Sequence, residues 1–162
     1  RPVIGIKPMA GIEVRYRVRH LPSDLVEVLG PQEAPNPSYE APYGDYLRWL
    51  GIDWSEETQP GGVLDVNLFW RVTETPPAPW HSFLQLVDAS GTKIAQADDH
   101  RPGGDYLPAP LWWPGDVVAD HFALDVPADL PPGDYALAAG FYDPATGERM
   151  AEPLIVAAVR FR

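Results

Sequence analysis

Acidic and aromatic residues are concentrated between Asp98 and Asp116 (DDHRPGGDYLPAPLWWPGD). A loop this long is uncommon in a compact domain and is often functional. Tyr106, Trp112 and Trp113 give it three rings that could stack on the apolar face of a sugar, which makes them candidate carbohydrate-binding residues. The competing expectation is that Trp112 or Trp113 plugs the open end of a β-sandwich, and a plug is expected for at least one of the two. Asp98, Asp99 and Asp105, with His100 between them and Asp116 and Asp120 beyond, are weak calcium candidates. Calcium favours clustered carboxylate and carbonyl oxygens, but the spacing fits no EF-hand, and solvated turn-forming acids account for it as well. His81, His100 and His121 lack the His-Glu-x-x-His spacing of a zinc site. No metal or other cofactor is therefore expected.

Nothing in the chain is arranged for covalent or phosphoryl chemistry. It has no Gly-x-Ser-x-Gly elbow and no phosphate-binding glycine loop. Without cysteine, thiolate nucleophiles, disulfides and Cys-based zinc sites are all excluded. A small hydrolase would need two facing carboxylates in a cleft with divergent pKa values, and no pair stands out along the sequence. With 23 Asp and Glu against 12 Lys and Arg, the formal net charge is -11, which disfavours nucleic acid and anionic lipid. The basic stripe Arg15, Arg17 and Arg19 reads as the charged face of an edge strand, or else as a docking surface for an acidic partner.

The elements that must position these residues are strands. Twenty prolines and 14 glycines in 162 residues leave little room for helices. Ile12, Val14, Tyr16 and Val18 alternate with charged residues, which predicts a half-buried strand over Ile12–His20. A Pro-rich connection runs through residues 21–44, with one short element at Leu25–Leu29. Strands are then expected at Tyr46–Trp54, at Leu64–Val72, at His81–Asp88 (apolar on both faces, hence mid-sheet), at Lys93–Ala97, from Val118 through Phe122, Leu124 and Val126, at Tyr135–Tyr142 and at Leu154–Phe161. Turns fall at Pro60–Gly62, Ala89–Gly91, Pro131–Gly133 and Asp143–Gly147.

Five segments, in order, carry a family resemblance: Tyr46–Asp53 (YLRWLGID), Pro60–Trp70 (PGGVLDVNLFW), Phe83–Asp88 (FLQLVD), Trp113–Asp120 (WPGDVVAD) and Pro132–Gly147 (PGDYALAAGFYDPATG). The run resembles the C-terminal β-sandwich domains of bacterial polytopic membrane glycosyltransferase-like proteins of the protein-mannosyltransferase type. It covers roughly Ala41 to Phe161. The resemblance implies a non-catalytic domain on the extracytoplasmic face of the cytoplasmic membrane, joined to a membrane-embedded remainder, and it transfers no catalytic residue.

The expected fold is all-β: a two-sheet antiparallel β-sandwich, immunoglobulin-like or jelly-roll, spanning residues 1–162 as one domain. Trp70, Phe122, Tyr135, Leu137 and Phe141 should be buried, and the strands beginning at Val63, Phe83, Val117 and Tyr135 should be central. The expected role is an accessory domain, with carbohydrate as a candidate partner and no nucleic acid. A structural or protein-interaction module is the alternative. No apolar run reaches the roughly 18 residues of a membrane helix, and the start at Arg1 suggests a piece of a larger protein.

Overall fold

The structure is a computed structural model, and it describes residues 3–4, 41–54, 59–99, 101–102 and 108–162. The expected strand over Ile12–His20, with its arginine stripe, and the element at Leu25–Leu29 lie outside the described residues. Among the described residues, nine strands form two stacked sheets: β1 (Val3–Ile4), β2 (Ala41–Tyr43), β3 (Leu47–Trp54), β4 (Val63–Val72), β5 (His81–Val87), β6 (Lys93–Asp99), β7 (Val117–Asp125), β8 (Gly133–Tyr142) and β9 (Leu154–Phe161). One sheet has the order β1-β7-β4-β3-β2 and the other β6-β5-β8-β9. The chain is therefore a β-sandwich. Among the described residues the strand pairings are antiparallel except β1 with β7, which is parallel. Among the described residues no helix is long and apolar enough to cross a membrane.

Alternation builds the core. Leu64, Val66, Leu68, Trp70 and Val72 of β4 all point inward, opposite Leu84 and Leu86 of β5 and Leu137, Ala139 and Phe141 of β8. The strands expected to be central are so: β4, β5, β7 and β8 each have a neighbour on both sides. β5 is buried on both faces except at His81. Of the five residues expected in the core, Tyr135 departs from expectation. It sits near the start of β8, half-buried, where its ring meets Phe161 edge-on and its hydroxyl donates to the Pro131 carbonyl. A ring with a polar tip at a sheet corner keeps that tip in water.

The Pro-rich connection also ends differently from expectation, because Ala41–Tyr43 form β2 and pair with β3. Tyr43 is buried beside Trp70 and Phe141. Its hydroxyl accepts the Phe141 N–H (2.9 Å) and donates to the Ala151 carbonyl (3.3 Å), so it bridges the opening where β9 has not yet joined β8. On the outer face of the first sheet, Leu50, Phe69 and Val117 form a second, small apolar cluster. The register shift between Trp49 and Gly51 makes Leu50 the extra residue of a β-bulge and turns it to that face.

Candidate functional site

The segment linking β6 to β7 crosses from one sheet to the other at the end of the sandwich where β4 and β8 finish and β3, β5 and β9 begin. His100, Asp105 and Tyr106 lie outside the described residues. From Pro108 onward a dense backbone network holds the chain. A short 3-10 turn over Ala109–Leu111 is closed by the Leu111 N–H on the Pro108 carbonyl (2.8 Å) and the Trp112 N–H on the Ala109 carbonyl (3.0 Å). Trp113-Pro114-Gly115-Asp116 then makes a second turn. The Asp116 N–H donates to the Trp113 carbonyl (3.0 Å), and Gly115 has φ +89°. Proline second and a left-handed glycine third are the requirements of a type II turn. The buried Asp116 carboxylate accepts the Trp113 N–H through Oδ2 (2.8 Å). Val72 of β4 ties the turn to the sheet on both sides: its carbonyl accepts the Gly115 N–H (2.7 Å) and its N–H donates to the Asp116 carbonyl (2.8 Å).

These two turns send adjacent tryptophans in opposite directions. Trp112 is 0% exposed and packs edge-on to Phe141, and its carbonyl accepts the Thr75 hydroxyl (2.6 Å). As it stands in the core, Trp112 cannot stack on a ligand, so that expectation is corrected in favour of the plug. Trp113 is 42% exposed, and Leu111, on the 3-10 turn, is 50% exposed. With the exposed Pro114 they put three exposed apolar residues on one short stretch whose backbone these turns hold. Trp113 thus provides a single stacking plane, without a coplanar partner from Trp112.

The acids separate as well. Asp98 and Asp99 are consecutive in β6 and so point to opposite faces. Asp98 is exposed, accepts a hydrogen bond from Gln96 Nε2 (2.8 Å), and its charge bears on Tyr142. Asp99 points inward. The two therefore cannot converge on one ion, which corrects the calcium expectation for that pair. Among the described residues no three His, Asp or Glu side chains come together as a metal site.

A different pair does meet. Asp120 of β7 is 0% exposed and faces Asp99 of β6 and Ser82 of β5, the residue paired with Asp99 across the sheet. Neither carboxyl oxygen of Asp120, nor Ser82 Oγ, has a well-aligned partner donor or acceptor. Burial pushes the Asp120 carboxyl well above the usual carboxylate range, and the neighbouring Asp99 pushes it further. The Ser82 hydroxyl acts in the opposite direction. The signal was present in the sequence: Val118, Phe122, Leu124 and Val126 alternate inward, and residue 120 on that same face is an aspartate. A hydrolase needs such a pair, but this one has no solvent face on Asp120 from which to reach a substrate.

The sequence matches no protein-family model and no curated protein. Among solved structures, the chain is similar to the crystal structure of the C-terminal domain of Wzt, with a TM-score of 0.53 and 15% identity over 85% of this chain and 83% of that one. A more remote likeness is to a β-glucuronidase from glycoside hydrolase family 2, with a TM-score of 0.44 and 11% identity over 65% of this chain and 11% of that one. At such identities the first likeness establishes the shared β-sandwich fold, and the second adds nothing to it.

Proposed function

We propose that this chain is a non-catalytic, glycan-binding β-sandwich module, with Trp113 as its stacking residue. The observation that carries the reading is the exposed Trp113 ring on a turn locked by Asp116 and Val72. An ordered aromatic loses little conformational freedom on binding, so more of its contact energy appears as affinity. About 42% of a tryptophan surface is open, on the order of 100 Å². At about 25 cal/mol/Å², covering it contributes roughly 2.5 kcal/mol. Alone, that corresponds to a Kd on the order of 10 mM for a single sugar, so useful affinity calls for a chain of sugars or several modules.

The test is a glycan-array screen of the folded domain beside Trp113→Ala. Binding by the wild type that the variant loses, with its fold intact, supports the reading. An array blank for a well-folded wild type argues against it. Leu111 favours a second reading, because an aliphatic side chain beside Trp113 suits a protein partner better than a sugar. In that case Leu111→Ser would weaken partner binding as much as Trp113→Ala does.

The proposal extends to placement. On the resemblance set out above, the module is an extracytoplasmic accessory domain of a membrane glycosyltransferase-like protein. Protease accessibility of the domain in intact spheroplasts tests this, and full protection there would sink it.

A further inference from the structure

Asp99 and Asp120 belong to different sheets, and the only sequence between their strands is the segment that carries Trp113. β6 is the edge of its sheet, and it lies against β7 across the open side of the sandwich. Ser82 brings a third oxygen to the same point from β5. Asp120 has no access to water, and both its oxygens lack an aligned donor. From β4, its register partner is the apolar Leu68, and on its own strand Val118 and Phe122 share its face. Among the described residues, the charged group bearing on Asp120 is Asp99, whose Oδ1 accepts the Arg101 backbone N–H (2.8 Å). Two carboxylates in such a site repel each other, and an unpaired buried charge is costly. One proton removes both penalties by turning repulsion into an O–H···O⁻ hydrogen bond, which is short and strong.

We propose that Asp120 holds a proton that it donates to Asp99, so that the pair clasps β6 of one sheet to β7 of the other and loosens as that proton is lost. The clasp fastens both roots of the Trp113 segment, and it does not depend on what Trp113 binds. The direction of its effect on stability follows from linkage. A carboxyl held protonated in the fold contributes fully below its unfolded pKa of about 3.9, and the contribution drains away as pH rises.

Two measurements test the proposal. Carbon-detected NMR of the wild type should show the Asp120 carboxyl carbon at its protonated position at pH 6, where exposed aspartates have ionised. Titration of Asp120 together with those exposed residues would overturn the proposal. Melting curves of the wild type and Asp120→Asn between pH 4 and pH 8 form the second test. The amide keeps the shape and the donor without the titration, so the variant should gain on the wild type as pH rises. The gain should be about 4 °C for each tenfold change in the folding equilibrium. Curves that stay parallel would overturn the clasp. So would a rise in melting temperature with about 1 mM calcium at pH 7 that Asp120→Asn abolishes, since a ligand of the native state stabilises it by mass action and the site would then be a metal site.

Discussion

Replacing Trp112 by alanine and Trp113 by alanine should give opposite outcomes, although the two residues are neighbours of the same type. Trp112 is completely enclosed, edge-on to Phe141 at the aromatic end of the core. Truncating a buried tryptophan removes its transfer free energy and leaves a cavity, at a cost of about 3–5 kcal/mol. Domains of this kind are stable by about 5–15 kcal/mol in total, so Trp112→Ala forfeits a large share. With a urea m-value of about 2 kcal/mol/M, a loss of about 4 kcal/mol lowers the unfolding midpoint by about 2 M. The Trp113 ring is already 42% exposed, and its place on the turn is fixed by backbone bonds that alanine keeps. Its replacement should cost about 0.5 kcal/mol, as for ordinary surface substitutions. Urea unfolding of the two variants and the wild type, followed by circular dichroism, makes the comparison. Equal losses, or a greater loss for Trp113→Ala, would refute the assignment of one ring to the core and the other to the surface.

Three further outcomes follow from the packing. Tyr43→Phe leaves the buried Phe141 N–H without its acceptor and should destabilise by about 1–3 kcal/mol, seen as a lower urea midpoint with an unchanged m-value. Gly140→Ala should destabilise by about 1–3 kcal/mol or prevent folding, because the added carbon would meet Tyr43 Oη and the Phe83 ring tip at sub-contact distances while pairing with β5 holds β8 in place there. Gly91→Ala separates space from backbone: nothing crowds its site, yet φ is +82°, so a smaller loss of about 1 kcal/mol on the same urea curves is expected from conformation alone.

How far the sequence revealed this molecule depends on which force set each feature. β4 and β8 were legible because Leu64, Val66, Leu68, Trp70 and Val72 of one, and Leu137, Ala139 and Phe141 of the other, recur at every second position and meet the core. β2 was not legible. Ala41-Pro42-Tyr43 is too short to show a period, and its place is decided by Tyr43 reaching Phe141 across 98 positions of sequence. The choice between Trp112 and Trp113 was equally hidden, since no periodicity governs a loop and the outcome hangs on two consecutive turns. Proline at 114 and glycine at 115 announced the second turn, but not which ring it would free. Asp120 stood on an apolar face where the pattern marked it as an exception. Its partner Asp99 could not be read from the sequence, because β6 and β7 belong to different sheets and meet only in the folded sandwich.

The central claim, that the exposed Trp113 ring receives a sugar, is tested most directly by watching that ring. In ¹H–¹⁵N spectra of the uniformly labelled domain, the Trp113 indole resonance is assigned by its absence from Trp113→Ala. The domain is then titrated with the oligosaccharide that the array selects. The account predicts that the Trp113 indole signal shifts and saturates while that of Trp112 barely moves. A binding curve in which the Trp113 signal stays still, or binding at full strength by Trp113→Ala, would contradict it.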